Sequence, residues 1–281
     1  MPELPEVETV VRTLRPQVLD CCIERVDVFR ERSLHPLSLP VERLAGTRIS
    51  AVRRRGKLAL LELESPAAAA AVPVPSLLAV HLRMTGRFMV HPEGAAPLKH
   101  TRIIFHLRPD GSRAQLFFDD VRSFGLVFAA TPELLDRWDF WCSLGPEPLE
   151  MESGELGPRL HGRRAIKAAL LDQTVLAGIG NIYADESLFR AGIDPRRPAG
   201  ELSEAEADRL RLALQEVLRE SIAQCGSSIR DYRDANGNVG AFQNTFFVYG
   251  RGGQACRRCG TELEKSRIGG RATVSCPQCQ H

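Results

Sequence analysis

The sequence predicts an α+β multidomain chain: an N-terminal antiparallel β-sandwich introduced by one helix, a helical second half, and a zinc-bound β-hairpin near the C-terminal end. Three observations carry this. Short runs rich in Val, Ile, Leu and Phe recur between turn signals from residue 23 to 129, the spacing of a sandwich or flattened barrel. From about residue 164 the apolar period becomes helical. Four late cysteines stand as two Cys-x-x-Cys pairs.

The chain has 281 residues, enough for two cores, with 26% charged and 43% hydrophobic residues. A net charge of +2 is mild, so a nucleic-acid surface must come from local clustering. No run of eighteen apolar residues occurs and the start is acidic, so we expect a soluble cytoplasmic protein without membrane association. There, eight cysteines read as metal ligands or reduced thiols.

The first element is a helix opened by Pro5. Leu4, Val7, Val10 or Val11, and Leu14 bury one face until Pro16 ends or bends it. Glu3 and Glu6 are three apart, adjacent on its first turn. Removal of Met1 would leave Pro2 as a terminal secondary amine, a group able to attack an aldehyde-level carbon and form an iminium. Ordinary helix capping by Glu explains the same carboxylates.

Strands follow over 23–29, 48–64, 77–91, 101–107, 113–118 and 124–129. Pro109-Asp110-Gly111 is a turn, and the alanine-proline stretch 65–76 reads as an extended surface loop. Arg53-Arg54-Arg55-Gly56-Lys57 sets four cations around a strand junction, by itself a solvated charge run. Met84 alone is core filler or an ordinary exposed methionine. Arg122 and Phe124, two apart in a strand, would simply pack on one face.

Prolines 132, 146 and 148 mark a hinge. We expect domains over 1–135 and 153–246, a linker over 136–152, and a finger over 247–281. Helices are predicted at 164–171, 181–190 and 204–225. The last has Ser203 and Glu206 as a capping box and Gly226 as its stop. Gly178-Ile179-Gly180 precedes Asn181, an anion-site pattern that is more often a tight turn. Lys167 stands one helix upstream, in a basic run that begins at His161-Gly162-Arg163-Arg164.

Cys256-x-x-Cys259 and Cys276-x-x-Cys279, sixteen residues apart, fit a closed tetrahedral zinc site of structural type. Around it six cations, Arg251, Arg257, Arg258, Lys265, Arg267 and Arg271, face two carboxylates, Glu262 and Glu264. Duplex DNA is the natural partner of such a patch.

Met1–Glu8 resembles the N-terminus of the formamidopyrimidine-DNA glycosylase family, bifunctional enzymes that excise oxidised purines and then cut the strand. The resemblance extends through 161–183, which is similar to that family's helix–two-turn–helix element, to Gly269–Thr273, similar to its Gly-Arg hairpin. It implies Pro2 as nucleophile, Glu3 as the acid that opens the sugar and Glu6 as a supporting carboxylate. Lys57 would assist elimination and Arg271 would clamp a phosphate. It further implies a wedge of Met84, Arg122 and Phe124 that replaces an extruded base. Phosphate contacts would come from His100, Lys167 and Asn181, within the basic run holding His161 and Arg163. The segment 226–247 becomes a loop over the flipped base. The expected activity is release of 8-oxoguanine and formamidopyrimidines from duplex DNA with β,δ-elimination, by a zinc-containing monomer associated with the bacterial nucleoid. An endonuclease VIII-type relative acting on oxidised pyrimidines, and a non-catalytic zinc-hairpin DNA-binding protein, remain alternatives.

Overall fold

The computed structural model describes residues 1–65, 73–109, 113–228 and 232–281. Most of the alanine-proline stretch, the Asp110-Gly111 turn and three positions of the predicted loop therefore lie outside the described residues. The chain divides into two compact units, Met1–Cys142 with Cys225–Gly240, and Ser143–Gln224 with Ala241–His281. The stretch Cys225–Gly240, expected in the helical domain, thus packs within the first unit.

The first unit opens with helix α1, Leu4–Val18. Leu4, Val7, Val10, Val11, Leu14 and Val18 are buried, as the apolar spacing required. The helix does not end at Pro16 but continues to Val18. Pro16 removes a single backbone donor, and burial of Leu14 and Val18 on either side outweighs that loss.

Eight strands follow: β1 Cys22–Val28, β2 Arg48–Arg55, β3 Leu58–Glu64, β4 Leu77–His81, β5 Gly86–Pro92, β6 Thr101–Arg108, β7 Ala114–Asp120 and β8 Leu126–Ala130. Two predicted strands, 48–64 and 77–91, are each a pair separated by a tight turn. The order is β5-β7-β6-β1-β2-β3-β4-β8, with every neighbouring pair antiparallel. β1 and β2 share only one register pair, Cys22 with Arg48. The sheet is therefore two four-stranded halves joined at a narrow seam. Phe88, Phe105 and Phe118 from one half and Leu61, Leu78 and Val127 from the other enter the same core with α1. That is the two-layer packing expected of a sandwich. Two short helices, α2 Pro132–Leu135 and α3 Asp139–Cys142, complete this part of the chain.

The second unit contains α4 Ile166–Leu170, α5 Asn181–Ala191 and α6 Glu204–Ala223. The Ser203–Glu206 capping box is present. The stop differs slightly from expectation: Cys225, not Gly226, is the first residue with positive φ after α6. Burial of Leu210, Leu214, Val217 and Leu218 accounts for the apolar stripe of α6. A two-stranded hairpin, β9 Glu264–Ile268 and β10 Arg271–Ser275, packs through Leu263 and Cys276 against Phe189 of α5.

Candidate active site and metal centre

At the start of α1 the two predicted carboxylates form a reciprocal cap. Glu3 is the N-cap and receives the backbone N–H of Glu6, while Glu6 Oε2 accepts the Glu3 N–H at 2.9 Å. Glu3 and Glu6 are 3% and 1% exposed, and Pro2 is buried beside them. Glu6 also reaches a distant segment, because its Oε1 accepts the Ser227 N–H at 2.8 Å. With Met1 in place the Pro2 nitrogen belongs to a peptide bond, and removal of Met1 converts it to an amine.

Lys57 occupies the turn between β2 and β3 and is buried. Of the cations around it, Arg54 pairs with Glu8 at 3.0 Å and Arg53 with Glu62 at 3.0 Å, so this is not a freely solvated run. Burial pushes the Glu8 carboxyl up, but bonds and charges from Arg12 and Arg54 carry it below its ordinary range. His81, whose register partner on β3 is Leu58, the residue after Lys57, is also buried. Burial first, then the charges of Arg83 and Lys57, drive its imidazole down to about 3, so it is neutral at physiological pH. Its Nδ1 accepts the Arg83 N–H at 3.0 Å, which leaves the proton on Nε2.

Met84, Arg122 and Phe124 come together on the same unit, although by a different route from the one predicted. Arg122 and Phe124 lie in the turn between β7 and β8, not in a strand. Arg122 Nη1 donates to Met84 Sδ at 3.0 Å, and its guanidinium lies 4.7 Å from the Phe124 ring centroid. Met84 and Phe124 are 43% and 47% exposed, a conspicuous display of large apolar side chains.

The organiser is Asp120, a residue the sequence does not single out. This fully buried carboxylate accepts from Thr85 Oγ1, from Arg122 N at 3.2 Å and from Gly125 N at 2.7 Å. It thereby ties the turn bearing Met84 to the turn bearing the other two. Gly125 closes against this knot: a Cβ there would stand 2.5 Å from Phe118 Cζ. His100 is half-buried at the same end of β7, its carbonyl accepting the Asp120 N–H.

On the second unit His161 and Arg163 are exposed ahead of α4. Lys167 is not. It is 0% exposed, 2.7 Å from Asp185 Oδ1, and donates to Ala272 O at 2.8 Å and Thr273 Oγ1 at 2.7 Å. All three ammonium donors are thus engaged inside the protein, which overturns the expectation that Lys167 grips a phosphate directly. Burial pushes the Asp185 carboxyl up to about 7, against the pull of Lys167. Asn181 opens α5 and donates its side-chain amide to the same Ala272 carbonyl at 3.0 Å. Asp185 also accepts the Val274 N–H at 3.3 Å, so the helix pair fixes β10 by a buried polar seam. The signal for it was available: Asp185 lies one helical turn after Asn181 on a face otherwise apolar. Arg271, next to Ala272, is exposed at the hairpin tip beyond Gly269-Gly270.

The thiols of Cys256, Cys259, Cys276 and Cys279 lie within 4.8 Å of one another. Cys256 to Cys279 is 4.0 Å and Cys259 to Cys276 is 3.5 Å. A tetrahedral zinc with bonds of about 2.3 Å places its sulfurs roughly 3.8 Å apart, between the two observed values. A disulfide would need about 2.05 Å. The four cysteines therefore fit a zinc ion of structural type, with no position left for a substrate.

Sequence profiles match the chain along most of its length: the formamidopyrimidine-DNA glycosylase N-terminal domain over residues 1–127 and the H2TH domain of the same enzymes over 144–233. The zinc finger found in FPG and IleRS matches over 253–281. The formamidopyrimidine-DNA glycosylase of Nitratidesulfovibrio vulgaris is 42% identical over 367 residues of alignment, covering all of both chains.

The chain belongs to the formamidopyrimidine-DNA glycosylase family.

Solved relatives agree with that membership. Lactococcus lactis Fpg, in complex with DNA containing an abasic site, is 32% identical with a TM-score of 0.86 over 99% of each chain. MutM in complex with DNA containing carbocyclic 8-oxo-G is 33% identical with a TM-score of 0.85 over 100% of each chain. As in that family, an N-terminal helix with antiparallel strands, an H2TH element and a four-cysteine zinc hairpin follow one another. Among the described residues no helix is long and apolar enough to cross a membrane.

Proposed function

We propose that this chain excises oxidised purines, 8-oxoguanine and formamidopyrimidines, from duplex DNA and cleaves the strand at the resulting abasic site. The observation that carries the reading is the reciprocal Glu3–Glu6 cap, which buries two carboxylates beside Pro2. Once Met1 is removed, the terminal amine has an ordinary pKa of about 7.7–8.0, so much of it is unprotonated near neutral pH.

The damaged nucleotide is extruded, because its sugar carbon cannot be reached within the stack. The Pro2 nitrogen bonds to C1′ while the bond from C1′ to the base breaks, its electron pair leaving with the base. Glu3 protonates the ring oxygen, the sugar opens, and a secondary amine gives an iminium that needs no further proton. That cation withdraws electrons from C2′, so loss of a C2′ proton expels the 3′ phosphate, and a second elimination expels the 5′ phosphate. Lys57 assists these proton transfers.

Arg271 and Asn181 hold the flanking phosphates, Arg271 by a bidentate fork. His100, His161 and Arg163 add longer-range contacts. Met84, Arg122 and Phe124 fill the space of the extruded nucleotide; an apolar wedge with one guanidinium both kinks the duplex and bonds the widowed base. Lys167 acts only through the hairpin it fixes.

The test is borohydride trapping on an 8-oxoguanine duplex, comparing the trimmed protein with Pro2→Gly and with an N-terminally extended form. A crosslink at residue 2 of the trimmed protein, lost on extension, is the expected result. A crosslink on an internal lysine refutes the mechanism, and faster release of oxidised pyrimidines than of 8-oxoguanine refutes the substrate.

A further inference from the structure

Helix α1 carries a second stripe that the core does not explain. Glu6, Thr9, Thr13 and Gln17 recur at helical spacing on a face that is polar yet largely covered. What covers it is the stretch Cys225–Gly240. Glu6 Oε1 accepts the Ser227 N–H at 2.8 Å. Thr13 Oγ1 accepts the Ala235 N–H at 3.1 Å and itself donates to Thr9 O. Gln17 Nε2 donates to Asn236 Oδ1 at 3.1 Å. Between these points Tyr232 and Ala235 enter the main core beside Val7 and Val10. Burial, and then the Glu6 carboxylate, push the Tyr232 phenol up, while the Thr9 hydroxyl works in the opposite direction.

The stretch is also closed at its neck and tip. Gly240 N donates to Ser228 Oγ at 2.8 Å, and a Cβ at Gly240 would lie 2.1 Å from Gly226 O, so only glycine permits the approach. At the tip Asp234 accepts from Asn236 N at 2.9 Å and Asn238 N at 2.8 Å. This is the construction of an Ω-loop whose ends meet. Its near end lies two hydrogen bonds from residue 3, through Ser227, Glu6 and the Glu3 N–H. A base departing from a sugar attacked at Pro2 leaves beside that end. A sugar already without a base presents nothing there.

We infer that Thr13 and Gln17 are positioning residues for base release: with Glu6 they pin the Cys225–Gly240 loop to the helix that bears the nucleophile. Base excision depends on them, and strand cleavage at a pre-formed abasic site does not. This rests on the function proposed above. Thr13→Val removes the acceptor for Ala235 N at nearly constant volume, Thr13→Ser keeps it, and Gln17→Ala removes the outer contact.

Single-turnover release from an 8-oxoguanine duplex and cleavage of an abasic duplex are measured side by side, with thermal melts of each protein. Loss of about one hydrogen bond predicts roughly tenfold slower base release for Thr13→Val and a larger loss for the double variant. Abasic cleavage stays within about twofold of the parent, and Thr13→Ser is rescued. Equal loss on both duplexes, as a merely destabilised helix would give, overturns the inference. So does unchanged base release. Failure of the unaltered protein to cleave either duplex overturns the proposed function itself.

Discussion

Replacing Lys167 by Met separates a structural role from a phosphate grip. Methionine fills a similar volume but leaves Asp185, 1% exposed in its side chain, without the ammonium 2.7 Å away. Ala272 O keeps Asn181 as a donor, so the loss falls on Asp185 and Thr273. Breaking a buried pair on one side costs about 3–5 kcal/mol, and a second change, Asp185→Leu, should restore much of it.

The cost also depends on pH. In the folded protein the Asp185 carboxyl sits at about 7 against an ordinary 3.8, so between those values the folded state holds a proton that the unfolded state has released. Its contribution to stability therefore declines as pH rises through that window. Without Lys167 the window extends further upward, and the deficit of the variant is larger at about pH 8 than at about pH 5. Denaturant melts of the second-unit signal at the two pH values, together with the salt dependence of duplex binding, make the test. An unshifted melt with a salt slope reduced by about one would show that Lys167 contacts a phosphate, and the reasoning would fail.

Three further outcomes are expected. Cys225→Gly should raise stability by about 1 kcal/mol, because Cys225 holds φ at 59° and glycine takes that conformation without the Cβ penalty; an unchanged melting temperature would refute this. Chelation of zinc, or Cys259→Ser, should disorder the hairpin and weaken duplex binding by about tenfold or more, measured by fluorescence anisotropy, and full affinity in chelator would count against the four-cysteine metal centre. Arg122→Ala should alter stability by no more than about 1 kcal/mol, since its contact with Phe124 is an exposed cation–π pair, yet it should erase any preference for the base opposite the lesion when excision is compared across the four pairings.

What could be read in advance was local. The zinc ligands declared themselves because two Cys-x-x-Cys turns fix a tetrahedron whatever surrounds them. Helix α6 did so because Ser203 and Glu206 cap it and its apolar stripe has a single period. The reactive N-terminus came from an eight-residue resemblance, and the Glu3–Glu6 spacing was already that of a first helical turn. What could not be read depends on partners distant in sequence. Lys167 looked like a surface cation because its acceptors lie on β10, more than a hundred residues on. Thr13 and Gln17 looked like solvated positions because nothing nearby in sequence announces the loop that covers them. Arg122 and Phe124 looked like strand residues because the buried carboxylate that bends their turn, Asp120, resembles any acidic residue at a strand end.

The contact between Glu6 and its two N–H partners has a practical consequence. Both donors are main-chain, so the tether is indifferent to which side chains stand at positions 3 and 227, proline excepted. A Glu3→Gln protein should then be chemically silent while its gripping parts stay where they are, since glutamine can still accept the Glu6 N–H. Such a variant is the form in which to capture an uncleaved lesion and see how the damaged base is read.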